Sequence, residues 1–143
     1  MPKTYSYITV DVFTDRAFAG NPLAVVPDAR GLTSEQMQAI AAEFNYSEST
    51  FVLPPGHPSH SAQVRIFTRQ NEIPFAGHPN VGTAFVIARM AERNGKAIGP
   101  TLVFEEKSGH VPVDLLRNND GRLIGATLTA PQAFAVGRTI PTS

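Results

Sequence analysis

Two short segments of this chain place ionisable side chains at corners between predicted helices and strands. Glu48 lies in the first, between an amphipathic helical pattern and an apolar strand pattern. His78 lies in the second, the corner Gly77-His78-Pro79, which comes directly before a strongly apolar helical pattern. A carboxylate and an imidazole can pass protons to and from a bound molecule, and free N–H groups at the start of a helix can bind an anion. The pattern therefore predicts acid–base chemistry on a small carboxylate.

His78 has two interpretations. In the first, it is a structural residue at the start of a helix, satisfied by backbone groups. In the second, the positive end of the helix dipole favours the neutral imidazole, which can accept and donate a proton in turn. Gly77 lets a ligand approach the backbone closely, and the N–H groups beyond Pro79 can receive a substrate carboxylate. We therefore predict Gly77, Pro79 and Asn80 as substrate-binding residues beside His78.

Glu48 also has two interpretations. It is either a surface glutamate in a turn or a general acid–base carboxylate in a partly desolvated cleft. The neighbouring hydroxyl residues Ser47, Ser49 and Thr50 could fix the orientation of its side chain. Spacing along the chain does not decide between the two.

Other polar side chains have weaker claims to the same cavity. Asn21 belongs to a turn that could approach it, and we predict Asn21 as a further substrate-binding residue. Asp11, in the first predicted strand, could line the cavity as well. Arg65 and Arg69 could pair with a substrate carboxylate, although a solvated sheet face is the expected role for both.

A metal site is not expected. The chain has no cysteine, which excludes a thiolate nucleophile, a disulfide framework and a cysteine zinc site. His57 and His60 share a proline-rich segment, but no carboxylate lies in that segment to complete a ligand set. We predict that this segment is a solvated loop. Glycine-rich phosphate loops and Ser/His/Asp patterns are also lacking from the sequence, so nucleotide binding has no support.

The composition predicts a single domain of ordinary size in the cytoplasm. The chain has 143 residues, with 12 basic and 12 acidic side chains and no net charge. Without a basic patch there is no sign of a nucleic-acid or anionic-membrane partner. No apolar run is long enough to span a bilayer, and residues 1–5 lack the apolar core of a signal peptide.

Hydrophobic periodicity predicts an α+β fold. Alternation indicates a hairpin formed by residues 5–13 and 23–26, and Thr33 and Gln36 form a capping box for an amphipathic helix that ends near Asn45. A second helix, about 79–93, is apolar nearly all round and should be buried on most sides, which indicates a central helix wrapped by strands. Further strands are predicted at residues 49–53, 62–68, 101–105, 111–116 and 123–128.

Three motifs in this order resemble the N-terminal half of the phenazine-biosynthesis PhzF-like protein family. They are Gly20-Asn21-Pro22-Leu23-Ala24-Val25-Val26, Ser47-Glu48-Ser49-Thr50-Phe51 and Pro74-Phe75-Ala76-Gly77-His78-Pro79. The resemblance covers roughly residues 5–130. It implies the diaminopimelate epimerase-like fold, in which two similar domains, each a strand-rich barrel around a central helix, enclose a cleft.

The resemblance also implies a cofactor-free isomerisation. The family's best-known activity acts on trans-2,3-dihydro-3-hydroxyanthranilate, and a glutamate moves the proton between ring carbons. The match places that glutamate at Glu48, with His78 and Gly77 assisting or binding substrate. In related racemases a cysteine stands at this position, so the lack of cysteine favours the isomerase branch.

The chain is about half as long as the family's members. We expect residues 1–130 to form the N-terminal domain and residues 131–143 to be a tail or the start of an inter-domain crossover, with the usual second domain absent. The isomerase activity would then need a second domain or a second copy of the chain, with a homodimer as the expected assembly. The alternatives are a catalytically inactive module that binds small carboxylates and a dimerising interaction protein.

Overall fold

The computed structural model describes residues 2–141, and these form one mixed sheet of eight strands and two helices. In chain order the elements are β1 (Ile8–Val12), β2 (Asn21–Val26), α1 (Ser34–Phe44), β3 (Glu48–Leu53), β4 (Ala62–Phe67), β5 (Glu72–Ile73), α2 (Gly77–Arg93), β6 (Thr101–Glu106), β7 (Gly109–Arg117) and β8 (Leu123–Leu128).

The sheet has the strand order β1-β2-β3-β4-β6-β7-β8, with the short β5 paired to β4. Two neighbouring pairs are parallel, β2 with β3 and β4 with β6, and the other pairs are antiparallel. Parallel neighbours need a crossover connection. The chain supplies α1 for the first crossover and α2 for the second, so each helix is fixed against the sheet at both of its ends.

α1 covers the outer face of the sheet. The predicted capping box is present, since Thr33 Oγ1 accepts from the N–H of Gln36 and the Gln36 side chain accepts from the N–H of Thr33. The helix ends at Asn45, which adopts the left-handed conformation (φ 58°), as predicted. Met37 and Ala41 pack here with Phe51 of β3 and other apolar side chains in a small core.

α2 is the central helix that the sequence predicts. Its buried residues pack into the larger core with side chains from both ends of the sheet, so the sheet curves around the helix as a half-barrel. Gly82 is needed for this packing, because a Cβ there would lie 2.6 Å from Leu23 Cδ2 and 2.8 Å from Val12 Cγ2. The helix begins two residues earlier than predicted, at Gly77. Pro79 still falls within the first turn, where a missing N–H costs no intrahelical bond.

The proline- and histidine-rich loop is more ordered than the sequence predicts. Glu105 of β6 accepts hydrogen bonds from the backbone N–H groups of Gly56 (2.8 Å) and His57 (2.9 Å), and its carboxylate lies 2.7 Å from His60 Nδ1. The prediction of a solvated loop is therefore wrong for His60, which is half-buried. Its carboxylate partner lies 45 residues away in the sequence, so local spacing could not reveal it.

Beyond β8 the described part of the chain, residues 129–141, contains neither helix nor strand, and Phe134, Val136 and Ile140 are exposed. The prediction that residues 131–143 are a tail or a crossover stays a prediction, and its last two residues lie outside the described range. No helix among residues 2–141 has the length and apolarity that a membrane span requires.

Candidate active site

Glu48 and His78 form a hydrogen-bonded pair. His78 Nδ1 lies 3.0 Å from Glu48 Oε2, although 30 residues separate them in the sequence. The His78 side chain is 8% exposed and the Glu48 side chain 21%. The structure thus brings together the two residues that the sequence analysis predicts as catalytic, with the imidazole mostly buried and the carboxylate partly open to solvent.

The alternation of strand β3 directs Glu48 towards α2. Residues along a strand point to opposite faces in turn. Phe51 packs on the α1 side of the sheet, whereas Val52 packs in the core around α2. Thr50 and Glu48 share the face of Val52. Because Glu48 is paired with Leu23 of β2 at the first position of the strand, its carboxylate comes out at the end of the sheet where α2 begins.

A buried hydrogen bond ties β3 to α2 beside the pair. The hydroxyl groups of Thr50 and Thr83 are 2.7 Å apart, and both residues are fully buried. Thr50 lies two residues beyond Glu48, and Thr83 lies one helical turn and a residue beyond His78. This contact therefore limits how far the strand and the helix can move relative to each other, and with them the Glu48–His78 distance.

The start of α2 is open to a ligand. Its N-cap residue, Ala76, provides no side-chain hydrogen bond, and the first N–H groups of a helix have no intrahelical partners. A Cβ on Gly77 would meet no atom within 4 Å. Backbone donors, a partial positive charge and free space therefore coincide next to His78, which is an arrangement that suits an anion.

Of the other predicted substrate-binding residues, Asn21 lies near the pair and the side chains of Pro79 and Asn80 are buried. Asn21 opens β2, and its Oδ1 accepts from the Ser47 hydroxyl at 3.3 Å, next to Glu48. Pro79 and Asn80 are both fully buried. A ligand at this turn would therefore meet the backbone rather than those two side chains.

The weaker candidates have other partners. Asp11 accepts from the N–H of Phe18 at 2.7 Å and lines a groove of about 390 Å³ between β1, α2 and β8, and the residues that line this groove do not include Glu48 or His78. Arg65 makes two 2.8 Å hydrogen bonds to Glu72, which lower the pKa of that carboxyl. The expectation that Asp11 lines the same cavity as Glu48 is therefore not met.

The sequence did not predict several of the contacts around Glu48 and His78. The ring of Phe13 lies 6.4 Å from the His78 ring, centroid to centroid. The hydroxyl residues around Glu48 do not hold it as proposed: Ser47 binds Asn21, Thr50 binds Thr83, and Ser49 Oγ is buried without a partner. Two of these contacts join distant segments and leave no local sequence signal.

One further buried carboxyl was also missed. Burial raises the pKa of Glu106, at the end of β6, to about 7, and the nearby Asn80 amide opposes this rise. Within residues 2–141 no three His, Asp or Glu side chains are grouped in a way that could hold a metal ion.

The family model and the most similar relatives point to the same protein family. A family model described as phenazine biosynthesis-like protein (PhzC-PhzF) matches residues 10–138. An uncharacterized isomerase from Mesorhizobium japonicum is 50% identical over 117 residues, which is 82% of this chain and 38% of the relative. The trans-2,3-dihydro-3-hydroxyanthranilate isomerase of Pseudomonas aeruginosa is 39% identical over 127 residues, which is 89% of this chain and 43% of that enzyme.

Solved structures agree with these matches. A Bacillus anthracis phenazine biosynthesis protein of the PhzF family superimposes with a TM-score of 0.68 at 34% identity, over 82% of this chain and 39% of that one. A probable proline racemase from Agrobacterium radiobacter superimposes with a TM-score of 0.52 at 19% identity, which shows a shared fold. The chain spans about two-fifths of the length of the relatives it matches. It belongs to the phenazine biosynthesis-like, or PhzC-PhzF, protein family.

Proposed function

We propose that this chain carries one wall of a cofactor-free isomerase site, in which Glu48 transfers a proton on a small carboxylate-bearing substrate such as trans-2,3-dihydro-3-hydroxyanthranilate. The observation that supports this most is the 3.0 Å contact between Glu48 and His78 at the open start of α2. The relatives that are named as isomerases of this substrate support the choice of compound.

The proposed proton transfer consumes no cofactor. Glu48 takes a proton from a saturated ring carbon, the C–H electron pair moves into the conjugated ring, and Glu48 returns the proton to another ring carbon. Substrate and product contain the same atoms at the same oxidation level, so no cofactor is consumed. Since a carboxylate only accepts hydrogen bonds, His78 donates from Nδ1 while Glu48 is ionised and assists the transfer by holding the carboxylate in one orientation.

The substrate carboxylate is proposed to bind at the first turn of α2. The N–H groups of Gly77 and His78 are the donors available there, whereas Pro79 has none and the N–H of the buried Asn80 is the first that bonds within the helix. The free space above Gly77 admits the substrate to this backbone. An anion in this position would place the rest of a small ring beside the Glu48 carboxylate.

The opposite wall of the cleft is proposed to come from a second domain or a second copy of the chain. Exposed apolar side chains near the groove between β1 and β8, among them Phe13 and Ile124, favour association. The homodimer is therefore retained as a proposal.

The test is deuterium incorporation from heavy water into trans-2,3-dihydro-3-hydroxyanthranilate. Because a general acid–base residue contributes about 10²–10⁴-fold, Glu48→Gln should slow incorporation by that order. The matched control is Glu43→Gln, which removes an exposed carboxylate on α1 and should leave the rate unchanged. Equal rates for the wild type and Glu48→Gln would contradict the role of Glu48.

Binding is measured separately from chemistry by following the backbone amide signals of the first turn of α2 with added substrate. The isomerase proposal expects Glu48→Gln to retain these shifts while losing incorporation. Binding without incorporation by the wild type would instead favour the carboxylate-binding module. If the wild type shows neither, the proposal that the first turn of α2 in this chain binds the substrate carboxylate is wrong.

A further inference from the structure

Besides His78 Nε2, three side chains in the first turn of α2 and the β6–β7 hairpin have buried polar atoms without hydrogen-bond partners. Both amide atoms of Asn80, both carboxyl oxygens of Glu106 and the hydroxyl of Ser108 are inaccessible to solvent and unbonded. Asn80 as a whole residue is 0% exposed. Buried polar groups are nearly always hydrogen-bonded, so a cluster of five such atoms indicates a function for these side chains.

The fold places Glu106 next to the candidate site through a hairpin tip. Glu106 is the last residue of β6 and pairs with Gly109 across the tight turn into β7. Lys107, in that turn, reaches Glu72 of β5 with a 2.8 Å contact. The hairpin tip therefore rests against the segment that leads into α2, and the Asn80 amide is close enough to Glu106 to affect its ionisation.

The chemistry of the two side chains is complementary when Glu106 is protonated. A carboxylic acid has one O–H donor and one carbonyl acceptor, and a primary amide has an N–H donor and a carbonyl acceptor. The two groups can thus form two reciprocal hydrogen bonds and satisfy four of the five unpartnered atoms. An ionised carboxylate could accept a hydrogen bond from Asn80 Nδ2, but its negative charge would repel the amide oxygen, Asn80 Oδ1.

We propose that Glu106 is a positioning residue for the proposed proton transfer: as a neutral acid it pairs with the Asn80 side chain and fixes the first turn of α2, and with it His78, relative to Glu48. The positioning role rests on the proposed function, whereas the pairing of Glu106 with Asn80 does not. Asn80 lies two residues after His78 in the same turn, so a shift of Asn80 moves the imidazole that Glu48 binds.

Burial favours the neutral acid that this pairing needs, whereas a hydrogen bond from Asn80 to the ionised carboxylate favours the charged form. Burial raises the pKa of Glu106 from 4.5 to about 7, which keeps the acid form populated up to neutral pH. Two basic side chains nearby, Lys107 in the hairpin turn and Arg65 of β4, both bind Glu72 of β5. On α2 and β3, His78 and Glu48 bind each other.

The experiment is an NMR titration of the ¹⁵N-labelled chain from pH 5 to 9, without substrate. The side-chain amide signals of Asn80 should shift with an inflection at about pH 7, where Glu106 ionises, and the backbone amide signals of Gly77 and His78 should contain the same transition. Glu106→Gln retains the shape of the neutral acid and should remove that transition from all of these signals. The matched control is Glu105→Gln on the same strand, which should leave it in place.

Each result decides part of the inference. Asn80 signals that do not change between pH 5 and 9, or that keep their inflection in Glu106→Gln, would overturn the pairing. Asn80 signals that lose the inflection while those of Gly77 and His78 are unaffected would overturn the positioning role. A ¹³C titration of the Glu106 carboxyl in the wild type tests the pairing without any variant, and a midpoint near 4.5 would contradict it. Since no substrate is used, failure here is distinct from failure of the isomerase proposal.

Discussion

The chain contains two glutamate–histidine pairs whose surroundings differ. Glu105 lies 2.7 Å from His60 Nδ1 and also accepts from two backbone N–H groups, and together these contacts lower its pKa to about 2. Glu48 lies 3.0 Å from His78 Nδ1, and within residues 2–141 its carboxylate has no further hydrogen-bond donor. The first pair is a clamp that holds a loop, whereas the second keeps acceptor capacity for a ligand.

The difference shows that the residue types alone do not identify a catalytic pair. A carboxylate held by several donors in its charged form resists protonation, so Glu105 is unsuited to carry a proton near neutral pH. Glu48 has a single donor, is the first residue of β3, and keeps a partly exposed side chain beside the start of α2. Hydrogen-bond saturation therefore separates the structural pair from the candidate catalytic one.

Replacing each histidine should give the largest difference between the two pairs, measured as the rate of deuterium incorporation. His78→Leu removes the donor to Glu48, and since a hydrogen bond to a charged group contributes about 1.5–3 kcal/mol, deuterium incorporation should fall roughly 10–100-fold. His60→Leu leaves Glu105 with its two backbone donors and should not change the rate. Equal losses in both variants would mean that the pairs do not differ in function.

A second effect is expected at the tie between β3 and α2. Thr83→Val leaves the buried Thr50 hydroxyl without its partner and should lower the free energy of unfolding by about 1–3 kcal/mol, as measured by urea denaturation. The double variant Thr50→Val/Thr83→Val removes both hydroxyls and should recover part of that loss. NMR signals of His60 serve as the control and should be unaffected. A double variant that is as unstable as the sum of the single ones would rule out the coupling.

The smallest effect is expected in the acid stability of the clamp. The pKa of Glu105 is depressed from 4.5 to about 2 in the folded chain, so its contribution to stability is present above pH 4.5 and is lost as the pH falls towards 2. Glu105→Gln should lack this part of the pH dependence when melting temperatures are compared between pH 2 and 6. A melting profile identical to that of the wild type in this range would contradict the clamp.

Much of the fold could be predicted from the sequence because its signals are local. The capping box at Thr33 and Gln36, the left-handed Asn45 and the apolar periodicity of α2 each depend on neighbouring residues, and the structure confirms all three. The alternation that marks the strands is local as well. The family could also be predicted, because the order of the three motifs is visible in the sequence without knowledge of any contact.

The site could be predicted only in part. Glu48 and His78 were identified, but the reach of Glu105 to His60 and the burial of Glu106 beside Asn80 were not. Contacts between residues 26 to 49 positions apart depend on strand order and on the curvature of the sheet, and neither is encoded in a short window. The roles of Gly77, Asn21, Pro79 and Asn80 as substrate-binding residues remain predictions.

The sequence by itself determined the elements of this protein, the two corners that carry Glu48 and His78, and the family to which they belong. Only the tertiary structure decided which carboxylate meets which imidazole, because Glu48 meets His78 where α2 packs against β3, and Glu105 meets His60 where β6 pairs with β4. Hydrogen bonding and burial, rather than residue type, then separate a loop clamp at Glu105 from a candidate proton carrier at Glu48.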